Sequence, residues 1–271
     1  MGKRKIAWVA LMLLLAPACA GSKRTTAGPV SYKNSAHANY KKGMRELRDE
    51  NYPEAIKYFH FVKNKFPFSR FATLAELRIA DTYFAQEKHV AAIDAYKLFV
   101  KFHPTHPKVL DGYAAYRICQ GYVLQIPGDW FLVPPSHEKD QSATREAVRE
   151  LTIFLRSHEK SKHVPAVRKL YRKTVRRLAD HELYVAKFYL ERDKPKATIL
   201  RLEGVLRRFP DAGVHPEVML LLGKTYLKLD ERAKARTTFL ALVKKYPNDQ
   251  HSSKAKLYLK YLSDTASSRR N

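Results

Sequence analysis

Several places along the chain bring together side chains that could do chemistry, and each can be weighed by residue type and spacing. His103-Pro104-Thr105-His106 offers two imidazoles, a pairing that binds a divalent metal when thiolates or carboxylates complete the set. The sequence supplies no such ligand close by, and the flanking prolines place the pair in a turn, so both histidines read as loop residues. Asp180-His181-Glu182 juxtaposes acid, base and acid, but consecutive residues on a helix diverge and cannot converge on one substrate. There is no phosphate loop, no HExxH pair and no GxSxG elbow. The two cysteines, Cys19 and Cys119, are too few for a disulfide framework or a Cys-rich zinc site. No residue is therefore assigned a catalytic, metal-binding or cofactor role, and the chain is read as a non-enzyme.

Cys19 belongs to a different chemistry. Lys3, Arg4 and Lys5 precede an apolar run from Ile6 to Ala16, eleven residues long. A membrane-crossing helix needs about 20. The run suits the apolar core of a secretion signal. It ends in Leu15-Ala16-Pro17-Ala18-Cys19, which resembles a bacterial lipobox, with Ala16 where Leu is usual. Residues 1–18 are expected to be removed as a signal peptide and Cys19 to be lipidated, which leaves Cys119 without an intramolecular partner; the alternative is an ordinary signal peptide cut after Ala18, with Cys19 incidental. Residues 19–35, rich in Ser, Thr, Gly, Ala and Lys, read as a lipid-anchored flexible tether. Ala20 stands after the cysteine in place of the acidic residue that retains many enteric lipoproteins at the inner membrane, and that resemblance implies the outer membrane.

The elements that follow repeat. Lys65-Phe66-Pro67, Phe102-His103-Pro104, Arg208-Phe209-Pro210 and Lys245-Tyr246-Pro247 end four segments alike, and both Pro67 to Pro104 and Pro210 to Pro247 span 37 residues. Twenty-four residues before each proline stand Gly43, Ala80, Ala186 and Gly223; twelve before, Ala55, Ala92, Thr198 and Ala235; eight before, Phe59, Tyr96, Leu202 and Phe239. Small residues let two helices of a hairpin approach, large ones fill the gap between hairpins, and proline ends the second helix. This is the tetratricopeptide pattern. A fifth repeat lies in the middle, where Arg117-Ile118-Cys119 aligns with Arg78-Ile79-Ala80. That register makes Cys119 a buried small residue. Its second helix is expected over Ser142 to Ser157, after an insertion at 126–141 that carries Trp130-Phe131-Leu132-Val133. So apolar a loop is expected to fold back into the array or meet a partner.

The expected fold is all-α, a right-handed tetratricopeptide superhelix of five helical hairpins. A capping helix follows over Ser252 to Leu262, and residues 263–271 read as a disordered tail. Repeats 1–3 occupy 36–160 and repeats 4–5 with the cap occupy 161–262. Such arrays bind partners along the face of their first helices. In repeats 1–3 that register gives Tyr40, Met44, Leu77, Phe84, Tyr113 and Tyr116 as candidate peptide contacts, with Lys41 and Arg48 nearby for positive charge. Charge is the other signal: 51 Lys and Arg against 26 Asp and Glu give a net +25, and +22 once residues 1–18 are lost. Arg168, Lys169, Arg172, Lys173, Arg176 and Arg177 cluster on one helical segment. Such a surplus attracts anionic lipid or acidic protein. Export disfavours nucleic acid.

Tyr52-Pro53-Glu54-Ala55-Ile56, Phe66-Pro67-Phe68-Ser69, Lys139-Asp140-Gln141 and, above all, the block Leu178-Ala179-Asp180-His181-Glu182-Leu183-Tyr184-Val185-Ala186-Lys187-Phe188-Tyr189 followed by Glu191-Arg192 carry a more specific resemblance. From about residue 35 to about 262 the chain resembles the BamD family, tetratricopeptide lipoproteins of the machinery that assembles outer-membrane β-barrels. The resemblance implies a lipid-anchored, periplasmic, non-catalytic scaffold and substrate receptor. Its N-terminal repeats would receive C-terminal targeting sequences of unfolded barrel proteins, which end in an aromatic residue and a free carboxylate. Its C-terminal repeats would dock a BamA-like barrel subunit and other assembly lipoproteins, with Glu191, Arg192 and Lys194 as candidate docking residues. The charge surplus and Lys194-Pro195-Lys196 depart from the family pattern. They leave an adaptor for another envelope machine, such as a pilus, secretin or motility complex, as the alternative.

Overall fold

The computed structural model describes residues 31–268 except 129–139 and 211, and side chains to residue 264. The signal segment, Cys19 and most of the tether and the insertion lie outside the described residues. Twelve helices and no strand are found among the described residues. The first hairpin is α1 (Ala36–Arg48) with α2 (Tyr52–Lys65), and the second is α3 (Arg70–Ala85) with α4 (His89–Phe102). A one-turn α5 (Pro107–Leu110) leads to α6 (Tyr113–Leu124), paired with α7 (Ser142–Ser157). Then come α8 (Val164–Glu191) with α9 (Pro195–Arg208), α10 (His215–Lys228) with α11 (Arg232–Lys245), and α12 (Gln250–Ser268). Among the described residues no helix is long and apolar enough to cross a membrane.

The repeat register and the core coincide. Ala55, Ala80, Ala92, Ala186, Thr198 and Ala235 are wholly buried, as are Phe59, Tyr96, Leu202 and Phe239. The inserted repeat follows suit, with Cys119, Ala147 and Leu151 buried. Space at the crossings is tight enough to demand glycine. A Cβ on Gly43 would lie 2.8 Å from the Phe59 ring, and one on Gly223 would lie 2.3 Å from that of Phe239. One continuous apolar cluster runs from Val175 to Leu262, while separate clusters serve the three N-terminal hairpins.

Several features differ from the sequence expectation. The basic segment and the first helix of repeat 4 are one helix, α8, of 28 residues, because no Pro or Gly interrupts Pro165 to Pro195. Helix α12 continues to Ser268, into the expected tail. At the other end, the last residues of the expected tether are held: the buried Asn39 side chain donates to the carbonyls of Lys33 (2.6 Å) and Ser35 (2.8 Å) and accepts from the Lys33 amide. Four hairpin turns place Glu50, Glu87, Asp193 and Asp230 at φ between 55° and 59°, a left-handed conformation more often given to glycine. His103, expected to lack a carboxylate neighbour, lies 2.8 Å from Glu76, which Lys63 also approaches. Sequence separation hid this contact between α3 and the turn after α4. No group of residues able to hold a metal is found among the described residues.

Candidate functional site

The half-buried aromatic residues of the first three repeats are tied together by one polar network. Asp81, on α3, is 8% exposed and is its hub. Its carboxylate accepts from the Arg78 guanidinium at 2.5 Å, from the Tyr96 hydroxyl of α4 at 2.5 Å and from the Tyr113 hydroxyl of α6 at 2.8 Å. Arg78 also donates to the Tyr40 hydroxyl of α1 at 3.3 Å. Arg117, on α6, donates to the Tyr96 hydroxyl at 3.2 Å and to the Gln120 amide oxygen at 3.1 Å, and Gln120 in turn donates to the Tyr116 hydroxyl. Four helices of three repeats are thus locked by side chains that carry their own hydrogen-bond partners, as buried polar groups must.

Electrostatics follow from this wiring. Burial, reinforced by the Asp81 charge, pushes the Tyr113 phenol up to about 12 and the Tyr96 phenol higher still, so both remain donors at neutral pH. Arg78 and Asp81 neutralise each other. Arg117 does not: among the described residues no carboxylate lies within ion-pair reach of it, and its guanidinium stacks 3.5 Å above the Phe84 ring. Next to it, Tyr116 stacks on His163 at 4.5 Å, and burial together with Lys162 holds that imidazole below its ordinary value. The result is a guanidinium stacked on one aromatic ring and hydrogen-bonded to another, with the Asp81 charge acting on it only from beyond ion-pair distance. It is suited to a ligand that presents a carboxylate beside an aromatic or apolar group.

Of the candidate peptide contacts, Tyr40, Met44, Phe84, Tyr113 and Tyr116 are half-buried. Tyr40 packs its ring on Phe59 and Phe71, and Met44 packs on the core of the first hairpin. Leu77 is a correction: it is 1% exposed, packed with Ala80, Ala92, Ile93 and Tyr96, and supports the site from beneath instead of touching a ligand. The positive charge also sits elsewhere than expected. Lys41 and Arg48 are exposed on α1, whereas Arg117 stands among the rings. The recurrence of Arg-Ile-small at Arg78 and Arg117 was the available signal, since it placed two arginines at one register position of successive repeats.

In the C-terminal half, Glu191, Arg192 and Lys194 are exposed around the turn between α8 and α9. Arg192 lies 4.3 Å above the Phe188 ring, and among the described residues it has no ion-pair partner. Neighbouring charges are engaged: Asp193 with Lys228 at 2.7 Å, Lys187 with Glu217 at 2.8 Å, and Glu182 with both Arg201 and Arg208.

Residues 32–240 match the family described as YfiO, outer membrane lipoprotein. The chain belongs to this family. Several relatives bear the name outer membrane protein assembly factor BamD. The chain is 25% identical to the one from Neisseria gonorrhoeae over 214 residues, 77% of this chain and 78% of that protein. It is 26% identical to the one from Haemophilus influenzae over 243 residues, 87% of each. Among solved structures, the TPR2AB domain–pHSP90 complex of yeast Sti1 superposes with a TM-score of 0.45 at 12% identity, covering 83% of this chain and 84% of that one.

Proposed function

We propose that this chain is a lipid-anchored scaffold and substrate receptor on the periplasmic face of the outer membrane, acting in the assembly and insertion of β-barrel proteins. The observation that carries the reading is Arg117, a guanidinium with no ion-pair partner among the described residues, stacked on Phe84 and hydrogen-bonded to Tyr96. An unfolded barrel protein whose C-terminus pairs an aromatic side chain with a free carboxylate presents the complementary groups. Aromatic and arginine anchors of this kind carry most of the binding energy of such interfaces, about 2 kcal/mol or more each. The names borne by the relatives agree with this assignment.

In this reading residues 36–160 receive substrate, and residues 161–262 dock a BamA-like barrel subunit and other assembly lipoproteins through Glu191, Arg192 and Lys194. Cys19 supplies the anchor. One acyl chain binds a membrane only marginally, so a multi-chain anchor is required. Cys19→Ala is expected to release the protein from outer membranes or leave it unprocessed, as read by fractionation.

Affinity purification of the chain from solubilised envelopes tests the assignment. Co-elution of a BamA-like barrel subunit is the expected result. Recovery of a pilus, secretin or motility component in its place would transfer the chain to another envelope machine.

A further inference from the structure

The basic segment of α8 is less uniform than its sequence suggests. Arg176 is used within the fold: it pairs with Asp180 at 2.9 Å and donates to the Gly213 carbonyl. Arg177 donates to the Pro127 carbonyl at 2.6 Å, at the start of the insertion. Arg168 and Arg172, four residues apart, share one face of α8. Arg156, from the last turn of α7, joins them around an open cleft of about 550 Å³, whose wall is completed by Thr152, Leu155 and Tyr171. Among the described residues no carboxylate lies within ion-pair reach of Arg156, Arg168 or Arg172. Lys169 and Lys173 stand exposed beside them. Three guanidiniums from two packed helices thus face one space with no carboxylate in ion-pair reach among the described residues, in a chain of net charge +25.

We propose that this cleft between α7 and α8 is a binding site for the phosphate headgroups of an anionic membrane. Guanidinium forks match the oxygen geometry of phosphate and hold it bidentately, which a solvated lysine face does not. Leu155 and Tyr171 give the cleft an apolar wall and a phenol at the same place, a mixture suited to a headgroup at the boundary of the acyl region. Membership of a family of outer membrane lipoproteins associates the chain with a phospholipid surface, and uncompensated arginines that come within a Debye length of it act with most effect. An acidic protein segment would meet the same charges, but it lacks the acyl boundary that the apolar wall of Leu155 and Tyr171 suits. The site is separate from the Arg117 region and stands whether or not that region receives peptides. Its consequence is a second membrane contact, in addition to any acyl anchor, that fixes how the array presents itself to the bilayer.

The test uses the full chain carrying Cys19→Ala, so that no acyl chain contributes, and co-sedimentation with vesicles of phosphatidylcholine alone or mixed with phosphatidylglycerol. Binding is expected only to the mixed vesicles, and added inorganic phosphate should weaken it more than sodium chloride of equal ionic strength. Arg156→Gln, Arg168→Gln and Arg172→Gln together should lower partition by about a hundredfold, at about fivefold for each basic residue near an anionic surface. Arg236→Gln, Lys244→Gln and Lys245→Gln remove the same charge from α11 and should leave most of the binding intact. Circular dichroism checks folding, and Arg156→Gln alone serves if the triple variant loses helicity. Equal losses from both triples would reduce the effect to bulk charge and overturn the proposal. So would failure to bind the mixed vesicles, or displacement by a polyglutamate peptide but not by phosphate, which would assign the cleft to an acidic protein.

Discussion

Asp81→Asn is the sharpest probe of how the first three repeats are held together. The carboxylate is 8% exposed and accepts three hydrogen bonds, one from Arg78 and two from phenols on α4 and α6. Asparagine keeps one acceptor oxygen. If that oxygen serves Tyr96 and Tyr113, the amide nitrogen faces the Arg78 guanidinium, donor against donor. A hydrogen bond to a charged group contributes about 1.5–3 kcal/mol. Breaking a buried pair costs about 3–5 kcal/mol because the remaining charge is left uncompensated. The Arg78 side chain keeps 29% of its exposure, so water recovers part of that cost. The loss should therefore fall near the lower bound, about 3 kcal/mol. In a repeat array it should be local, so hydrogen exchange is the right assay. Amides of α3, α4 and α6 should exchange about a hundredfold faster, whereas those of α10 to α12 should not change. Tyr113→Phe removes one phenol donor to the Asp81 carboxylate and should cost about 1.5–3 kcal/mol. A loss under about 1 kcal/mol for Asp81→Asn, or one shared evenly along the chain, would refute the network as a local clamp.

Other consequences can be checked separately. Gly223→Ala should destabilise the C-terminal hairpins by about 1–3 kcal/mol, because the new methyl would sit 2.3 Å from a fully buried Phe239 ring, and urea unfolding reads this directly. Burial pushes the Cys119 thiol from 9.0 up to about 12, so maleimide labelling at neutral pH should be limited by local opening; labelling at the rate of a free thiol would contradict its burial. Cys119 and Tyr113 both hold their protons more tightly when folded, so their contribution to stability is complete below about pH 9 and is lost as pH rises toward 12; a melting temperature that stays flat over this range would count against it. Arg192→Ala should weaken the proposed complex with a BamA-like barrel subunit by about 2–5 kcal/mol; a loss of less than about 1 kcal/mol, within titration error, would make Arg192 a solvated charge outside the docking surface.

How much of this was legible before the fold was known depends on which force sets each feature. The small and large positions, from Ala55 and Phe59 to Ala235 and Phe239, were legible because hairpin crossings admit few side chains and proline ends four of the five second helices. The bounds of α7, which no proline ends, were legible because Ala147 and Leu151 fall in the same small and large positions. The continuity of α8 was not, since repeat register suggests a boundary where the backbone has no breaker. Nor were the left-handed turns at Glu50, Glu87, Asp193 and Asp230, where acidic residues occupy a conformation usually signalled by glycine. Leu77 was misplaced because a helix inside an array is buried on more than one side, and register alone does not separate lining from packing. The Asp81 network was hidden for a different reason: it joins residues from Tyr40 to Gln120 through tertiary contacts, although the recurring arginines at 78 and 117 mark where to look.

The central claim is that the first three repeats receive a chain terminus bearing an aromatic side chain and a free carboxylate. Photo-crosslinking from a peptide with the C-terminal residues of a β-barrel protein tests it most directly. Crosslinks should map to α1, α3 and α6 around Tyr40, Phe84, Tyr113 and Tyr116. Amidation of the peptide terminus or added salt should weaken them. Tyr40→Ala with Phe84→Ala should abolish them while helicity is retained, and Arg117→Gln should erase the difference between the free and the amidated peptide. Crosslinks confined to α9 through α12, or indifference to the terminal carboxylate, would contradict the account.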